Sequence, residues 1–202
     1  MPIWKYNGKV LKTAGGGVFA SEAAPAGLPA KTIRCKFSSG YTPTMGDAQT
    51  LVDVNENIWD IYKSSSEWNI LFRGNTSLLE VINANADGVT NMASMFASCS
   101  NLTAAHLYNT SSTSNMIMMF SSCTSLTTVP LFDTSSVTTV RQMFRECTSV
   151  QTGALALYQQ MSTQANPPTT TSQCFNNCGS NTVTGASELA QIPTTWGGTM
   201  SV

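Results

Sequence analysis

The stretch that decides the fold is residues 133–150, which read Asp-Thr-Ser-Ser-Val-Thr-Thr-Val-Arg-Gln-Met-Phe-Arg-Glu-Cys-Thr-Ser-Val. The same pattern occurs twice earlier in the chain, in 109–126 and in 85–102, which gives a 24-residue period. Its anchors are a Met-Phe pair, a cysteine three residues after the phenylalanine, and a Leu or Val three residues further on. In chain order they are Met95-Phe96, Cys99 and Leu102; Met119-Phe120, Cys123 and Leu126; and Met143-Phe144, Cys147 and Val150. Leu71-Phe72 begins a degenerate earlier copy.

A unit of this length is too short to bury an apolar face alone, and stacking of successive copies solves that problem. The period therefore predicts a repeat β-solenoid, leucine-rich-repeat-like, with 24-residue coils, short parallel strands and a cap at each end. Phe96, Phe120 and Phe144 are expected to stack in its dry interior, in coils about 4.8 Å apart. The repeated cysteines are expected to be buried and reduced, because parallel side-chain vectors give poor disulfide geometry.

Composition changes on both sides of the repeat, and 14 of the 21 charged residues lie in the first 73 positions. The predicted domains are 1–30, an N-terminal hairpin and flexible arm; 31–70, an N-terminal β cap; 71–150, the solenoid; and 151–202, a C-terminal cap with a degenerate last coil.

Local patterns predict several elements of the two caps. Polar and apolar side chains alternate in residues 31–37, which is typical of a half-buried strand with Ile33, Cys35 and Phe37 inward. Residues 51–62 are expected to form a further strand, or a strand followed by a turn. Residues 153–161 have helix-forming composition. The segment 174–178 repeats the Phe-x-x-Cys spacing and is expected to be the last, distorted coil.

Charge excludes several classes of partner. Only 10% of the residues are charged, against about 25% in an average globular chain, and the net charge is -1. Ser, Thr and Asn replace the charged residues and make up about a third of the chain. Because no basic run exists, we expect no nucleic-acid partner, and because no stretch approaches the roughly 18 apolar residues that a span requires, we expect no membrane span.

The scarcity of titratable groups argues against an enzyme, since acid–base catalysis usually needs two positioned titratable groups. His106 is the sole histidine and is expected at the surface. A hidden carboxylate pair among Asp53, Glu56 and Asp60 remains the alternative. No phosphate- or dinucleotide-binding motif is present, and the Cys-x-x-x-Cys spacing of Cys174 and Cys178 lacks a second ligand pair for zinc. We therefore expect no catalytic, cofactor or metal site.

Rows of hydroxyl side chains are the candidate binding face. Three positions of one coil are repeated in the next: Thr110, Ser112 and Ser114, then Thr134, Ser136 and Thr138. Such rows could contact a glycan or a protein surface through many weak hydrogen bonds. The alternative is that they are merely solvated turns and strand faces.

Residues 134–149, with the two copies before them, resemble the BspA-like leucine-rich-repeat family, whose repeats carry the same Asp-Thr-Ser-x-Val-Thr-x-Met-x-x-Met-Phe-x-x-Cys-x-x-Leu phrase. The resemblance covers residues 70–150. It implies a non-catalytic adhesion module displayed on an extracellular surface for host, glycan or protein recognition.

The two ends of the chain resemble repeat proteins encoded in phages and prophages of gut bacteria. With no signal peptide recognised in the first residues, this resemblance implies an alternative role as a structural virion protein, either a capsid fibre, a decoration or a tail component. Trp4 and Tyr6 are the candidate docking arm for that role. Its partners would be other virion proteins, and homo-oligomerisation stays open.

Overall fold

The computed structural model of the protein describes residues 28–200 and the backbone of two short strands near the N-terminus. These strands, β1 (Trp4–Tyr6) and β2 (Lys9–Leu11), pair antiparallel, which confirms the predicted hairpin. The side chains of the predicted docking arm, Trp4 and Tyr6, lie outside the described residues, as does most of the predicted flexible arm, residues 12–27.

A five-stranded mixed sheet lies in the first part of residues 28–200, with the strand order β4-β5-β3-β6-β7. Its strands are β3 (Thr32–Phe37), β4 (Ala48–Asp53), β5 (Ile58–Tyr62), β6 (Leu78–Asn85) and β7 (Ala104–Tyr108). β3 pairs antiparallel with both β5 and β6, whereas β6 and β7 are parallel. The prediction for β3 is confirmed, because Ile33, Cys35 and Phe37 are all buried. Residues 51–62 contain the end of β4, a turn and β5.

Successive 24-residue units lie against one another and are joined by a ladder of backbone hydrogen bonds. In each unit a run of four alternate amides donates to carbonyls of the unit that follows it in the chain. The amides of Met92, Ser94, Phe96 and Ser98, for example, donate to the carbonyls of Asn115, Ile117, Met119 and Ser121, at 2.8 to 2.9 Å. The intervening amides turn back within the unit, as in the bond from Ala97 to the Ser94 carbonyl. We call these units coils.

Tight turns inside each coil require two residues in the left-handed region. The first set is Ile70, Ser94, Met118, Gln142 and Gln173; the second, four residues later, is Gly74, Ser98, Ser122, Glu146 and Asn177. A non-glycine residue in this conformation costs about 1–3 kcal/mol and persists only where its surroundings impose it. In the first four coils the imposing structure is the ladder, because both positions carry amides that donate to the next coil.

A column of phenylalanine rings fills the interior, as predicted. The ring centroids of Phe96 and Phe120 are 5.2 Å apart and those of Phe120 and Phe144 are 5.1 Å apart. Phe72 extends the column at one end with a 5.5 Å spacing, and Phe175 extends it at the other with 5.9 Å. All five side chains are at most 1% exposed, and their spacing is in the range of offset-stacked aromatic pairs.

The prediction of short parallel strands in every coil is wrong for most of the stack. Within the described part of the chain, only β6 and β7 pair as parallel strands; other coil junctions carry single-residue bridges, such as Asn91 with Asn115 and Asn115 with Thr139. The apolar segment 128–131 is not a strand, since Pro130 has no amide hydrogen to donate.

Two helices and a last coil form the C-terminal end. α1 (Ala154–Thr163) confirms the predicted helix and buries Leu157 and Met161, and α2 (Val183–Leu189) follows the last coil. That coil carries Phe175, which follows Phe144 in the sequence by more than one 24-residue period. The extra residues between them include α1. A 3-10 turn, Thr194–Trp196, then closes the stack, because the Phe175 amide donates to the Trp196 carbonyl at 2.8 Å.

The phenylalanine column should dominate stability. We expect Phe120→Ala to lower the free energy of unfolding by about 3–5 kcal/mol, because it removes a buried ring that contacts one ring on each side. Urea unfolding followed by circular dichroism measures this. The exposed control Ser136→Ala should change stability by less than about 0.5 kcal/mol. Equal effects of the two substitutions would contradict the buried column.

Candidate binding surface

Three stacked β-turns form an exposed ridge along one corner of the coils. In each turn an amide donates to the carbonyl three residues earlier at 2.9 Å: Val89 to Ala86, Thr113 to Thr110, and Val137 to Thr134. The two central residues of every turn are exposed. We call this surface the turn ridge; its residues are Asp87, Gly88, Ser111, Ser112, Ser135 and Ser136.

A column of Asn and Asp side chains holds the turn ridge from beneath. The Asn85 side-chain oxygen accepts from the Asp87 amide at 3.2 Å and from the Asn109 side-chain nitrogen at 3.0 Å. In the third turn, the Asp133 carboxylate accepts from the Ser135 amide at 2.8 Å. Short polar side chains that bind the backbone two residues on are typical turn stabilisers. The turn ridge is therefore positioned by bonds within the protein.

Two residues of the predicted binding face are not at the surface. Thr110 and Thr134 are each only 1% exposed. The Thr110 hydroxyl donates to the Asp133 carbonyl at 2.8 Å, and the Thr134 hydroxyl donates to the side-chain oxygen of Gln164 at 2.8 Å. A buried hydroxyl needs such a partner, since leaving it unpaired is costly. The prediction that these threonines face a ligand is therefore wrong.

The remaining predicted residues divide between two surfaces. Ser112 and Ser136 are exposed on the turn ridge. Ser114 and Thr138 lie in a separate row, where each hydroxyl donates to a carbonyl one coil earlier: Ser114 to Thr90 at 3.3 Å and Thr138 to Ser114 at 3.1 Å. These bonds stabilise the contact between coils. Because each hydroxyl hydrogen is already donated, the hydroxyl oxygens of this row could bind a ligand mainly as hydrogen-bond acceptors.

The cysteine column makes regular bonds that the repeat pattern does not reveal. The thiols of Cys99, Cys123 and Cys147 donate to the carbonyls of Phe72, Phe96 and Phe120 at 3.0, 3.1 and 3.0 Å. Each acceptor is the phenylalanine carbonyl of the preceding coil. The sequence feature that could have indicated these bonds is the constant three-residue spacing from Phe to Cys, because it gives every thiol the same position within its coil.

All six cysteines are buried and free, as expected. Burial raises the pKa of Cys99 to about 12, although hydrogen bonds from the amides of Asn75 and Gly74 act in the opposite direction and lower it. Burial likewise raises the pKa of Cys147 to about 12. Since the thiolate is the reactive form, these cysteines are suited to packing and not to nucleophilic chemistry.

The three carboxylates of the alternative acid–base site bind separate partners. Asp60 forms a bidentate ion pair with Arg34, with both N–O distances 2.7 Å. Glu56 accepts from Lys36 at 2.7 Å, and Asp53 accepts from backbone amides of its own turn. The structure therefore does not bring them together as a catalytic pair.

Other titratable groups are also dispersed. His106 is exposed, as predicted. Arg145 and Glu146 form an ion pair of 3.5 Å, and Glu146 also accepts from the Asn177 side chain. Within residues 28–200 and the two N-terminal strands, no cluster of three His, Cys, Asp or Glu residues is arranged to hold a metal ion.

Thiol reactivity tests the buried cysteine column. We expect Ellman's reagent to leave the native thiols unmodified over minutes and to modify all six once guanidinium has unfolded the chain, because burial disfavours the thiolate. Ser136→Cys supplies the control, since its thiol would lie on the exposed turn ridge and should react at once. Native thiols that react as fast as this added one would contradict a dry interior.

Comparison with known protein families gives a match over most of the described chain. A family model described as Mycoplasma protein of unknown function, DUF285, matches residues 53–183. The match runs from the end of β4 to the start of α2 and includes every coil. That family is related to the BspA-like leucine-rich-repeat surface proteins. No curated protein and no solved structure matches the chain. Within the described residues, no helix has the length and apolar character needed to cross a bilayer.

Proposed function

We propose that this chain, which belongs to the DUF285 family, is a non-enzymatic binding module displayed on a surface. In this proposal its coils form a capped leucine-rich-repeat-like solenoid, and the turn ridge contacts a glycan or protein ligand. The relation of the family to BspA-like surface proteins supports this setting.

The ladder between coils supports the solenoid interpretation. Each of the four coil junctions carries the same set of four hydrogen bonds, from Trp68, Ile70, Phe72 and Gly74 at the first junction to Val140, Gln142, Phe144 and Glu146 at the last. Stability of such a stack is approximately a sum over neighbouring units. A rigid scaffold of this kind can hold a surface in place without a catalytic centre.

The observation that carries the binding proposal is the contrast between the turn ridge and the hydroxyl rows. Thr110, Thr134 and Thr138 donate to partners within the protein, whereas Ser112 and Ser136 project from turns that backbone bonds already fix. Their hydroxyls are therefore available to an outside partner. Pre-positioned polar groups reduce the ordering cost of binding, and small hydroxyl side chains suit the hydroxyl-rich surface of a glycan.

Paired lysine substitutions test the turn ridge. We expect the double variant Ser112→Lys and Ser136→Lys to weaken binding to immobilised glycans or intact bacterial cells by about tenfold, because two long charged side chains would block the surface. The matched control is Thr184→Lys with Ser187→Lys, which adds the same charge at two exposed positions of α2, away from the turn ridge.

Unfolding curves of both double variants should match that of the parent chain, which separates lost binding from lost folding. Equal weakening by both double variants would contradict a role for the turn ridge. Absence of binding by the folded parent chain to every glycan and cell type tested would contradict the proposed function itself.

A further inference from the structure

A shallow cleft of about 380 Å³ lies between the first coil and the N-terminal cap. Leu71, Arg73 and Asn75 line it from the first coil, and Tyr41 and Met45 line it from the cap. Pockets for small ligands have volumes of about 300–1,000 Å³. The cleft, which we call the first-coil cleft, is therefore large enough for one small molecule.

Two backbone carbonyls of the lining have no donor among the described residues. In the second coil, the carbonyls of Met95 and Ala97 accept amides of the first coil at 2.9 and 2.8 Å. The carbonyls of Leu71 and Arg73 hold the equivalent positions one period earlier, where the ladder ends. Within residues 28–200, no hydrogen-bond donor reaches either oxygen. Both are therefore available to accept hydrogen bonds from a ligand in the cleft.

Hydrogen bonds within the protein hold the wall of the first-coil cleft in place. The Asn75 side-chain oxygen accepts from the amides of Ser77 and Leu78 at 2.9 and 3.1 Å, and its nitrogen donates to the Tyr41 hydroxyl oxygen at 2.9 Å. The Asn57 side chain donates to the Tyr41 carbonyl at 2.8 Å. Because the Tyr41 hydroxyl accepts one of these bonds, its hydrogen can be donated to a ligand. A wall that is already ordered lowers the cost of binding.

Arg73 sets the charge of the first-coil cleft. Among the lining residues in the described part of the chain, it alone carries a charge. Its side chain is exposed and forms no ion pair with a described residue. A guanidinium group binds carboxylates through two parallel hydrogen bonds. The Arg73 side chain therefore favours a ligand with a carboxylate.

The neighbouring carbonyls restrict the ligand further. A simple anion such as phosphate would be repelled by the oxygens of Leu71 and Arg73, so the ligand needs hydrogen-bond donors beside its carboxylate. An amino acid has such donors in its ammonium group, but no carboxylate lines the described cleft to pair with that charge. Neutral hydroxyl donors fit better.

We propose that the first-coil cleft binds an acidic sugar, such as a uronic acid residue of a glycan. The sugar carboxylate pairs with the Arg73 guanidinium, and its hydroxyl groups donate to the carbonyls of Leu71 and Arg73. Another of its oxygens accepts from the Tyr41 hydroxyl, and its apolar C–H face packs against the side chain of Met45. This site is separate from the turn ridge, so either one can fail without the other.

Two methyl glycosides that differ at a single carbon test the choice of ligand. Methyl β-D-glucuronide carries a carboxylate where methyl β-D-glucoside carries a hydroxymethyl group. We expect titration of the full-length protein with the glucuronide to shift NMR signals of residues 41–45 and 71–77, with a Kd of about 1 mM. The glucoside should bind at least about tenfold more weakly, and inorganic phosphate should leave these signals unchanged.

Removal of the charge supplies the matched test in the protein. Arg73→Gln should weaken glucuronide binding by about tenfold, whereas Arg141→Gln, the same change at an exposed arginine of a later coil, should not. Both variants should unfold like the parent chain in urea. The proposal would be overturned by unchanged signals of 41–45 and 71–77, by equal binding of the two glycosides or of phosphate, or by full binding to Arg73→Gln. Shifts confined to the turn ridge would overturn it and leave the proposed function standing.

Discussion

In each coil a run of four alternate amides, such as those of Met92, Ser94, Phe96 and Ser98, donates to the coil that follows, and the rest of the structure depends on this constraint. A donor and its acceptor must lie in adjacent coils at matching positions, which fixes the 24-residue period. Amides that point alternately between coils and back within the coil require consecutive tight turns. Those turns place residues such as Ser94 and Ser98 in the left-handed region. The ladder and the backbone strain are therefore two consequences of one geometry.

The interior follows from the same period. Because equivalent residues lie directly over one another, a phenylalanine in one coil must pack on a phenylalanine in the next, with ring planes as little as 3° apart. A cysteine beside it is small enough to fit and brings a thiol hydrogen to the phenylalanine carbonyl one coil earlier. The low charge of the chain has a related cause. Short Ser, Thr and Asn side chains, such as Thr138 and Asn85, can reach neighbouring carbonyls and amides in the stack.

Sequence alone predicted the features that the period controls. The stacked Phe96, Phe120 and Phe144, the buried cysteines and the last coil around Phe175 all follow from spacing, and β3 follows from alternation. The wrong predictions concern contacts between distant segments. Thr134 is buried because the side chains of Gln160 and Gln164 reach it from α1 and its C-terminal end, and no periodicity shows where a helix will lie.

Insertion of a complete extra coil tests the central claim most directly. A second copy of residues 92–115 placed after Asn115 keeps every later residue in register. The account predicts that this longer chain folds and that its free energy of unfolding is at least that of the parent, since it adds one more coil junction. An insertion of half a coil at the same point, a second copy of residues 92–103, moves Phe120 out of the column and should lower the free energy of unfolding by more than about 3 kcal/mol. Equal stability of the two insertion variants in urea unfolding would contradict an interior built on a 24-residue register.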